Sequence, residues 1–453
     1  MSLSVIILAA GQGTRMRSSK PKVLHQVGGK AMLQRVLDNA HSLKAEHVHV
    51  VYGHGGEQVL ETIRGSEINW VLQAEQLGTG HAVDQAMPGI ADADTVLVLY
   101  GDVPLTRTRT LEPLIDAAAN GVGLLTVILD DPAGYGRIIR NDAGQVMAIV
   151  EEKDASEEQK LIAEGNTGMM AVNGRLLRSW LSRLDNSNAQ AEYYLTDIIA
   201  MAVSDGVAVN AVQADNVVEV SGVNNRIQLA EMERAWQWRQ AEAAMTAGAT
   251  LADPARFDVR GELVVGEDVT IDVNVVFEGK VSLGNGVSIG PNCYLKNTTV
   301  ADDVEILANT VMEDAVIGAG SRIGPFARIR PGAELKGNNH IGNFVEIKKS
   351  IIGEGSKVNH LSYIGDTIMG GGVNIGAGTI TANYDGANKH QTIIEDNAST
   401  GSNSVLIAPV KVSQGATLGA ATVLRKEAPE GQLTMSMIKQ KTIEGWKRPE
   451  KKR

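Results

Sequence analysis

What most constrains this chain is a period. From Ile289 to Leu418 an apolar residue, often followed by glycine, returns about every six positions: Ile289-Gly290, Ile317-Gly318, Ile323-Gly324, Ile329, Leu335, Ile341-Gly342, Ile347, Ile352-Gly353, Val358, Ile364-Gly365, Met369-Gly370, Ile375-Gly376, Val412 and Leu418-Gly419. A few steps are one residue shorter. Such spacing fits neither the 3.6-residue turn of an amphipathic helix nor the simple alternation of a free-standing strand. It fits a solenoid in which short strands turn corners and each coil stacks its apolar residue on the coil before, so a parallel β-helix is predicted here. A scaffold of turns and small residues also accounts for 49 glycines beside only 4% aromatic residues.

In such a frame the side chains that escape the core carry information. With Val358 pointing inward, His360 should point outward beside Leu361. Tyr363 and Asn374 precede inward residues, and Arg330 and Lys348 follow them. An isolated surface histidine is usually inert. With Arg, Lys, Tyr and Asn from neighbouring coils it becomes a candidate site for an anionic substrate, with His360 as general base because imidazole titrates near neutrality. Residues 382–395 break the period, and Asn383-Tyr384-Asp385-Gly386 is turn chemistry, so a loop should be thrown out there.

The first half has a different rhythm. Val5–Leu8, Val48–Tyr52, Val96–Tyr100 and Leu124–Val127 are short apolar runs, separated by amphipathic stretches such as Ala31–Leu43. Alternating strands and helices predict a mostly parallel, doubly wound sheet with ligands at the carboxyl ends of its strands. The first run empties into LAAGQGTRMRSSKPK, where Gly11 and Gly13 are followed by Arg15, Lys20 and Lys22. That is either an ordinary turn or a polyphosphate loop, in which backbone N–H groups approach the phosphates and the cations neutralise them. It is neither the dinucleotide fingerprint nor a P-loop, since it lacks a third glycine and a Gly-Lys-Ser/Thr. Asp102, at the end of the third run, is either a Mg²⁺ ligand or a turn residue. Between the halves, Asn225–Ala247 reads as one long helix, and its Trp236 and Trp238 should pack against a neighbour. The divisions expected are therefore 1–226, a linker helix 227–247, and 248–453.

Composition removes several classes of function. A net charge of −11 argues against nucleic acid as the main partner. The one cysteine, Cys293, excludes an intramolecular disulfide and a cysteine-based zinc site, and suits a reducing, cytoplasmic setting. No apolar run is long enough for membrane insertion. The start, MSLSVIILAAG, lacks the basic residues of a signal peptide and reads as the first strand.

LAAGQGTRM with Lys22 resembles the sugar-nucleotide pyrophosphorylases, and the second half resembles the left-handed β-helix of the hexapeptide acyltransferases. In combination, QAEQLGTGHA, YGDVPL, GYGRI, EEKDA, NTG and GVNN in the first half, with NHLSYIGD, NIGAGTI and NYDGANK in the second, resemble the bacterial bifunctional N-acetylglucosamine-1-phosphate uridyltransferase/glucosamine-1-phosphate acetyltransferase family over nearly the whole chain. The fold implied is α/β: a doubly wound Rossmann-like nucleotidyltransferase domain, a linker helix, and a left-handed parallel β-helix of hexapeptide repeats.

The resemblance implies acetylation of glucosamine-1-phosphate by acetyl-CoA, then uridylyl transfer from UTP with release of pyrophosphate. It implies a nucleotide site at Leu8, Ala9, Ala10, Gly11, Arg15, Lys22, Gln73, Gly78, Thr79, Tyr100 and Gly101, with Gln73 and Gly78 reading the uracil edge. Asp102 and Asn224 would hold Mg²⁺, and Gly136, Glu151 and Asn166 the sugar. In the second half it implies His360 as the base, oriented by Glu346. Arg330, Lys348, Tyr363, Asn374 and Lys389 would hold the acceptor, and Ala377, Asn383, Tyr384, Ser402 and Ala420 acetyl-CoA. It also implies a homotrimer with acetyl sites shared between subunits, and Trp446 closing over them. Met437 stands where the family commonly has an arginine near the CoA phosphates, with Lys439 and Lys441 close by. The polar run Asn397–Ser404 predicts looser packing of the last coils, and the basic tail from Lys447 a solvated end. Two rival readings remain: a pyrophosphorylase whose β-helix only assembles the oligomer, and a regulatory relic without chemistry.

Overall fold

A computed structural model describes residues 2–53, 56–63, 67–437, 439–449 and 451. The chain falls into two units, Met1–Trp236 and Gln237–Arg453.

In the first unit, nine strands matter to the site: β1 (Leu3–Ala9), β2 (His47–Gly53), β3 (Ile68–Gln73), β4 (Thr95–Tyr100), β5 (Val122–Ile128), β6 (Arg137–Arg140), β7 (Val146–Val150), β8 (Glu164–Asn173) and β9 (Val209–Gln213). The sheet order is β9-β5-β8-β4-β1-β2-β3, with the β6–β7 hairpin joined to β8. β1 lies parallel between β4 and β2, which explains why Val5, Ile6 and Ile7 are wholly buried and read as a continuous apolar run. β8 runs antiparallel to β4 and β5, so the sheet is mixed. Helices α1 (Met32–Ser42), α2 (Thr79–Ala86) and α3 (Thr108–Ala117) belong to this unit. α1 presents Leu33, Val36, Leu37 and Ala40 to the sheet, as its 3.6-residue spacing demands.

Helix α4, Arg226–Thr246, crosses the division. Met232 and Trp236 pack within the first unit, and the Arg35 guanidinium lies 3.5 Å over the Trp236 ring. Ala241 and Ala244 join the core of the second. Trp238 departs from the expectation: it is half exposed, and its indole N–H donates to Glu242 on the same helix.

The second unit is the parallel β-helix. Successive coils pair Ile289 with Ile306, Ile306 with Ile323, Ile323 with Ile341, and Ile341 with Val358, so three hexads close one coil. A second inward column runs through Ile329, Ile347 and Ile364, and a third through Leu335, Ile352, Met369, Ile394 and Val412. All of these are buried. The excursion is shorter than predicted. The chain is back in the wall by the strand Thr392–Ile394. The last coils are also better packed than their polarity implied. Thr379 and Thr400 are buried with their hydroxyls 3.0 Å apart, Thr400 accepts from the Gly376 N–H, and Ser404 donates to Gly401 O. At these three positions small hydroxyls satisfied inside the coil replace methyl groups.

Candidate functional site

Two groups of polar side chains stand out, one in each unit. In the first, a cavity of about 330 Å³ opens at the carboxyl ends of β1, β3 and β4. Leu8, Ala9, Ala10 and Gly11 form one wall, where β1 runs out into the loop. Gly13 has a left-handed backbone, and any side chain there would meet Lys22 Cβ at 2.7 Å, so glycine keeps this loop against Lys22. The Lys22 ammonium donates to Asp102 Oδ2 at 2.5 Å and to Asn224 Oδ1 at 3.2 Å. The Val223 N–H bonds to the Asp102 carbonyl at 2.9 Å, which brings the GVNN segment to the end of β4. Two side-chain oxygens from distant parts of the chain therefore converge on one cation, and oxygen donors of this kind suit Mg²⁺.

Gln73 ends β3 and is only 3% exposed. Its amide donates to Gly78 O at 3.1 Å. Gly78 precedes α2 with φ 114°, and a Cβ there would lie 2.6 Å from Tyr193 O, so no other residue fits. Thr79 opens α2, and its hydroxyl accepts from the Leu195 N–H. Gln73, Gly78, Thr79, Tyr100, Lys22 and Asp102 all line the cavity. Gly101 follows β4, its N–H bonded to Leu8 O at 2.9 Å. Arg15 is not on the wall; it is exposed on the short turn Thr14–Met16.

Gly136, Glu151 and Asn166 come together beside this cavity. The Asn166 N–H donates to Gly136 O at 2.8 Å, and a side chain at Gly136 would abut the Glu151 carboxylate. Burial pushes the Glu151 carboxyl above its ordinary pKa, while the Thr196 hydroxyl, 2.9 Å away, pulls it back. Tyr100 links the two groups. Burial raises its phenol, and the carboxylates of Glu151 and Asp102 raise it further. Sequence reasoning missed Gln76 and Glu192 on the cavity wall. Gln76, whose amide donates to Ala10 O, lies within the motif QAEQLGTGHA, between the Gln73 and Gly78 already singled out. Glu192 lies in a stretch without any motif, and only folding brings it here.

The second group lies on the outside of the β-helix. The Arg330 guanidinium donates to Glu346 at 2.6 Å. Glu346 and Lys348 sit in register with Tyr363 and Gly365 on the next coil. The Asn383 amide reaches Asp366 at 2.5 Å and the Tyr363 hydroxyl at 3.5 Å. Lys389 returns from the excursion toward Lys348, whose ammonium holds it below the ordinary lysine range. Two cations this close together are suited to a dianion. Tyr384 is exposed on the same excursion, its hydroxyl bonded to Gly386 O at 2.6 Å.

His360 belongs to a corner column. The Leu361 N–H donates to Asn343 O, Gly378 to His360 O, Asn403 to Ala377 O and Ala421 to Ser402 O, and Ala420 stacks over Gly401. The column therefore aligns His360 with Ala377, Ser402 and Ala420. Asn374 starts the strand next to that of His360. The imidazole is exposed, and its Nδ1 lies 3.1 Å from Asn343 Oδ1. The expected partner, Glu346, is instead committed to Arg330, because the register places it one face away. Met437, Lys439, Lys441 and Trp446 are exposed.

One corner breaks the chemistry of the others. Turn residues there adopt positive φ, and Asn274, Asn292 and Asn309 suit that conformation. Phe326, Phe344 and Leu361 adopt it as well. The two phenyl rings stack 5.4 Å apart, and all three side chains are at least half exposed.

The chain is similar to known proteins over its full length. The family of MobA-like NTP transferase domains matches residues 5–168, and the GMPPB C-terminal domain family matches residues 259–335. The bifunctional protein GlmU of Marinobacter nauticus is 59% identical over 450 residues, covering 99% of either chain. Among solved structures, a putative glucose-1-phosphate thymidylyltransferase from Bacillus anthracis superposes with a TM-score of 0.42 and 19% identity over 51% of this chain and 94% of its own. A UDP-glucose pyrophosphorylase in complex with UDP-glucose gives 0.45 and 15% identity over 53% of this chain and 100% of its own.

Proposed function

This chain belongs to the bifunctional GlmU family, and on that footing we propose how its two units divide the work. It is a transferase with two activities. It acetylates glucosamine-1-phosphate with acetyl-CoA, then transfers UMP from UTP to the N-acetylglucosamine-1-phosphate formed, releasing pyrophosphate and UDP-N-acetylglucosamine.

Uridylyl transfer falls to the cavity of the first unit. The observation that carries this assignment is the meeting of Lys22, Asp102 and Asn224 at one point of the cavity, beside the glycine loop. Attack of a phosphate oxygen on the α-phosphorus of UTP needs no covalent intermediate. It needs in-line positioning and neutralisation of charge. Lys22 and Arg15 supply cationic charge, and the loop from Leu8 to Gly11 supplies N–H groups. Asp102 and Asn224 are the residues that would hold Mg²⁺, which when bound offsets the triphosphate charge. Gln73 and Gly78 face the uracil, and Gly136, Glu151 and Asn166 hold the sugar.

Acetyl transfer falls to the outer wall of the β-helix. His360 takes the proton from the substrate amine as nitrogen attacks the thioester carbonyl, and coenzyme A leaves as the thiol. Asn343, through its contact with Nδ1, orients the ring. Arg330, Lys348 and Lys389 hold the sugar phosphate, with Tyr363 and Asn374 beside them. Acetyl-CoA runs along the corner column at Ala377, Ser402 and Ala420, with Asn383 and Tyr384 from the excursion. A further copy of the chain covers the Phe326–Phe344–Leu361 stripe in a homotrimer. Three large apolar side chains held in strained backbone beside His360 support that reading. The setting is cytoplasmic, as the single cysteine suits; among the described residues no helix is long and apolar enough to cross a membrane.

The test is product analysis of a mixture of glucosamine-1-phosphate, acetyl-CoA, UTP and Mg²⁺, with each omitted in turn. Without UTP, acetylated sugar phosphate should accumulate. Without acetyl-CoA, no UDP-sugar should form. Uridylylation of supplied N-acetylglucosamine-1-phosphate with no thiol release under any condition would favour the rival in which the β-helix only assembles the oligomer.

A further inference from the structure

An amide reads the edge of a pyrimidine only if something decides which of its two ends meets the base. Gln73 lines the cavity and is almost fully buried. Its Nε2 lies 3.1 Å from Gly78 O. A backbone carbonyl only accepts, so the end turned to Gly78 is the NH₂. The same nitrogen lies 3.1 Å from His81 Nδ1. His81 stands on α2, one turn before Gln85, whose amide lies 3.3 Å from the other ring nitrogen. A neutral imidazole accepts at one nitrogen only, so it cannot take protons from both amides. Gly78 O fixes the direction of the Gln73 amide, so the Gln85 amide is the one that turns its oxygen to the ring: with its proton on Nε2, His81 donates to that oxygen and offers Nδ1 to the second proton of the Gln73 amide. Both protons of that amide are then held by the protein, and two anchors fix its plane. Oε1 is the end left over, and among the described residues no hydrogen bond to it is formed.

Uracil presents an N3–H donor at the middle of its edge. Cytosine presents a bare N3 acceptor there, next to an amino group. A fixed amide oxygen bonds to the first and repels the second. We propose that His81 sets the pyrimidine choice of this pocket, selecting a uridine over a cytidine nucleotide by holding the Gln73 amide with its oxygen toward the base. His81 is a positioning residue: it does not line the cavity and acts through Gln73. The inference rests on the reading that the base lies against Gln73 and Gly78.

The experiment compares kcat/KM for UTP and CTP, with N-acetylglucosamine-1-phosphate as acceptor, in the full-length enzyme. His81→Phe keeps a flat ring without the acceptor, and His81→Asn restores an oxygen near the position of Nδ1. The UTP-to-CTP ratio is internal to each preparation, so a partly unfolded sample does not distort it. His81→Phe should narrow the ratio about tenfold or more, since the released amide can turn. KM for the sugar phosphate should stay unchanged, and His81→Asn should stay within about threefold of the wild-type ratio. A ratio unchanged in His81→Phe but collapsed in Gln73→Ala would overturn the role of His81 and leave the base reading standing. A ratio unchanged in both would sink the base reading and this inference with it. Equal narrowing in His81→Phe and His81→Asn would show a packing effect and overturn the hydrogen-bond argument.

Discussion

In the first unit Lys22, Asp102 and Gln73 line one cavity, and Asn224 is bonded to Lys22 behind them. In the second, His360 and Leu361 stand exposed on the corner of a coil, with Phe326 and Phe344 stacked on the same corner. The difference follows from the two folds. A doubly wound sheet changes direction, and its loops part at the carboxyl ends of the strands to leave a crevice. A β-helix repeats the same wall coil after coil. It aligns side chains in register but encloses nothing, so a site on it needs a second surface. The excursion through Tyr384 and Lys389 supplies part of that surface, and another copy of the chain is proposed to supply the rest.

The sharpest way to break this comparison is to remove one metal-side oxygen. Asp102→Ala should lower uridylyl transfer about a thousandfold or more and leave acetyl transfer intact, measured as pyrophosphate and thiol release on the same preparation. Parallel loss of both activities would mean that the two sites are not separate. The reciprocal change, His360→Ala, should lower acetyl transfer about a hundredfold or more and spare uridylyl transfer; near-normal acetylation would remove His360 from the mechanism.

A subtler change tests the need for a second surface. Phe344→Asn replaces a strained aromatic residue by the one used at Asn292 and Asn309, so thermal stability of the isolated chain should hold or rise by about 1 kcal/mol. Sedimentation should show dissociation, and acetyl transfer should fall about tenfold while uridylyl transfer persists. An intact oligomer with normal acetylation would make the apolar corner irrelevant to the site.

The smallest expected effect is one of pH. Lys348 holds Lys389 below the ordinary lysine range, so Lys389 loses its proton at a lower pH than an exposed lysine would. Phosphate binding at the acetyl site should therefore weaken as pH rises, with the loss setting in below the ordinary lysine pKa. Inhibition of acetyl transfer by N-acetylglucosamine-1-phosphate reads this without a titrating substrate amine. Lys389→Arg should flatten the profile, and a profile unaltered by that change would remove Lys389 from the phosphate site.

Much of this architecture was legible in the sequence because it is local. The six-residue step announced the β-helix, since each coil repeats one packing problem. The burial of Ile329, Ile347 and Ile364 follows the period residue by residue. The run Val5–Leu8 into glycines announced a strand and a loop for the same reason. Misreadings arose where the partner was distant. The family resemblance pairs Glu346 with His360, whereas the register gives it to Arg330. Asn397–Ser404 looked too polar for a core, yet Thr379 and Thr400 satisfy each other across a coil. Trp238 was expected to be covered and is half exposed, because α4 turns that side outward.

The sequence by itself determined two rhythms, a glycine loop with cations behind it, and a set of polar residues that interrupt the hexads. Those are properties of neighbours along the chain, and backbone geometry fixes them. The tertiary structure alone decided that Glu192 lies on the cavity wall and that Asn343, not Glu346, meets the imidazole. It alone placed His81 against the amide of Gln73. A hydrogen bond depends on two groups arriving within about 3 Å. Residues far apart in sequence reach that distance only when sheet order and coil register have brought them there.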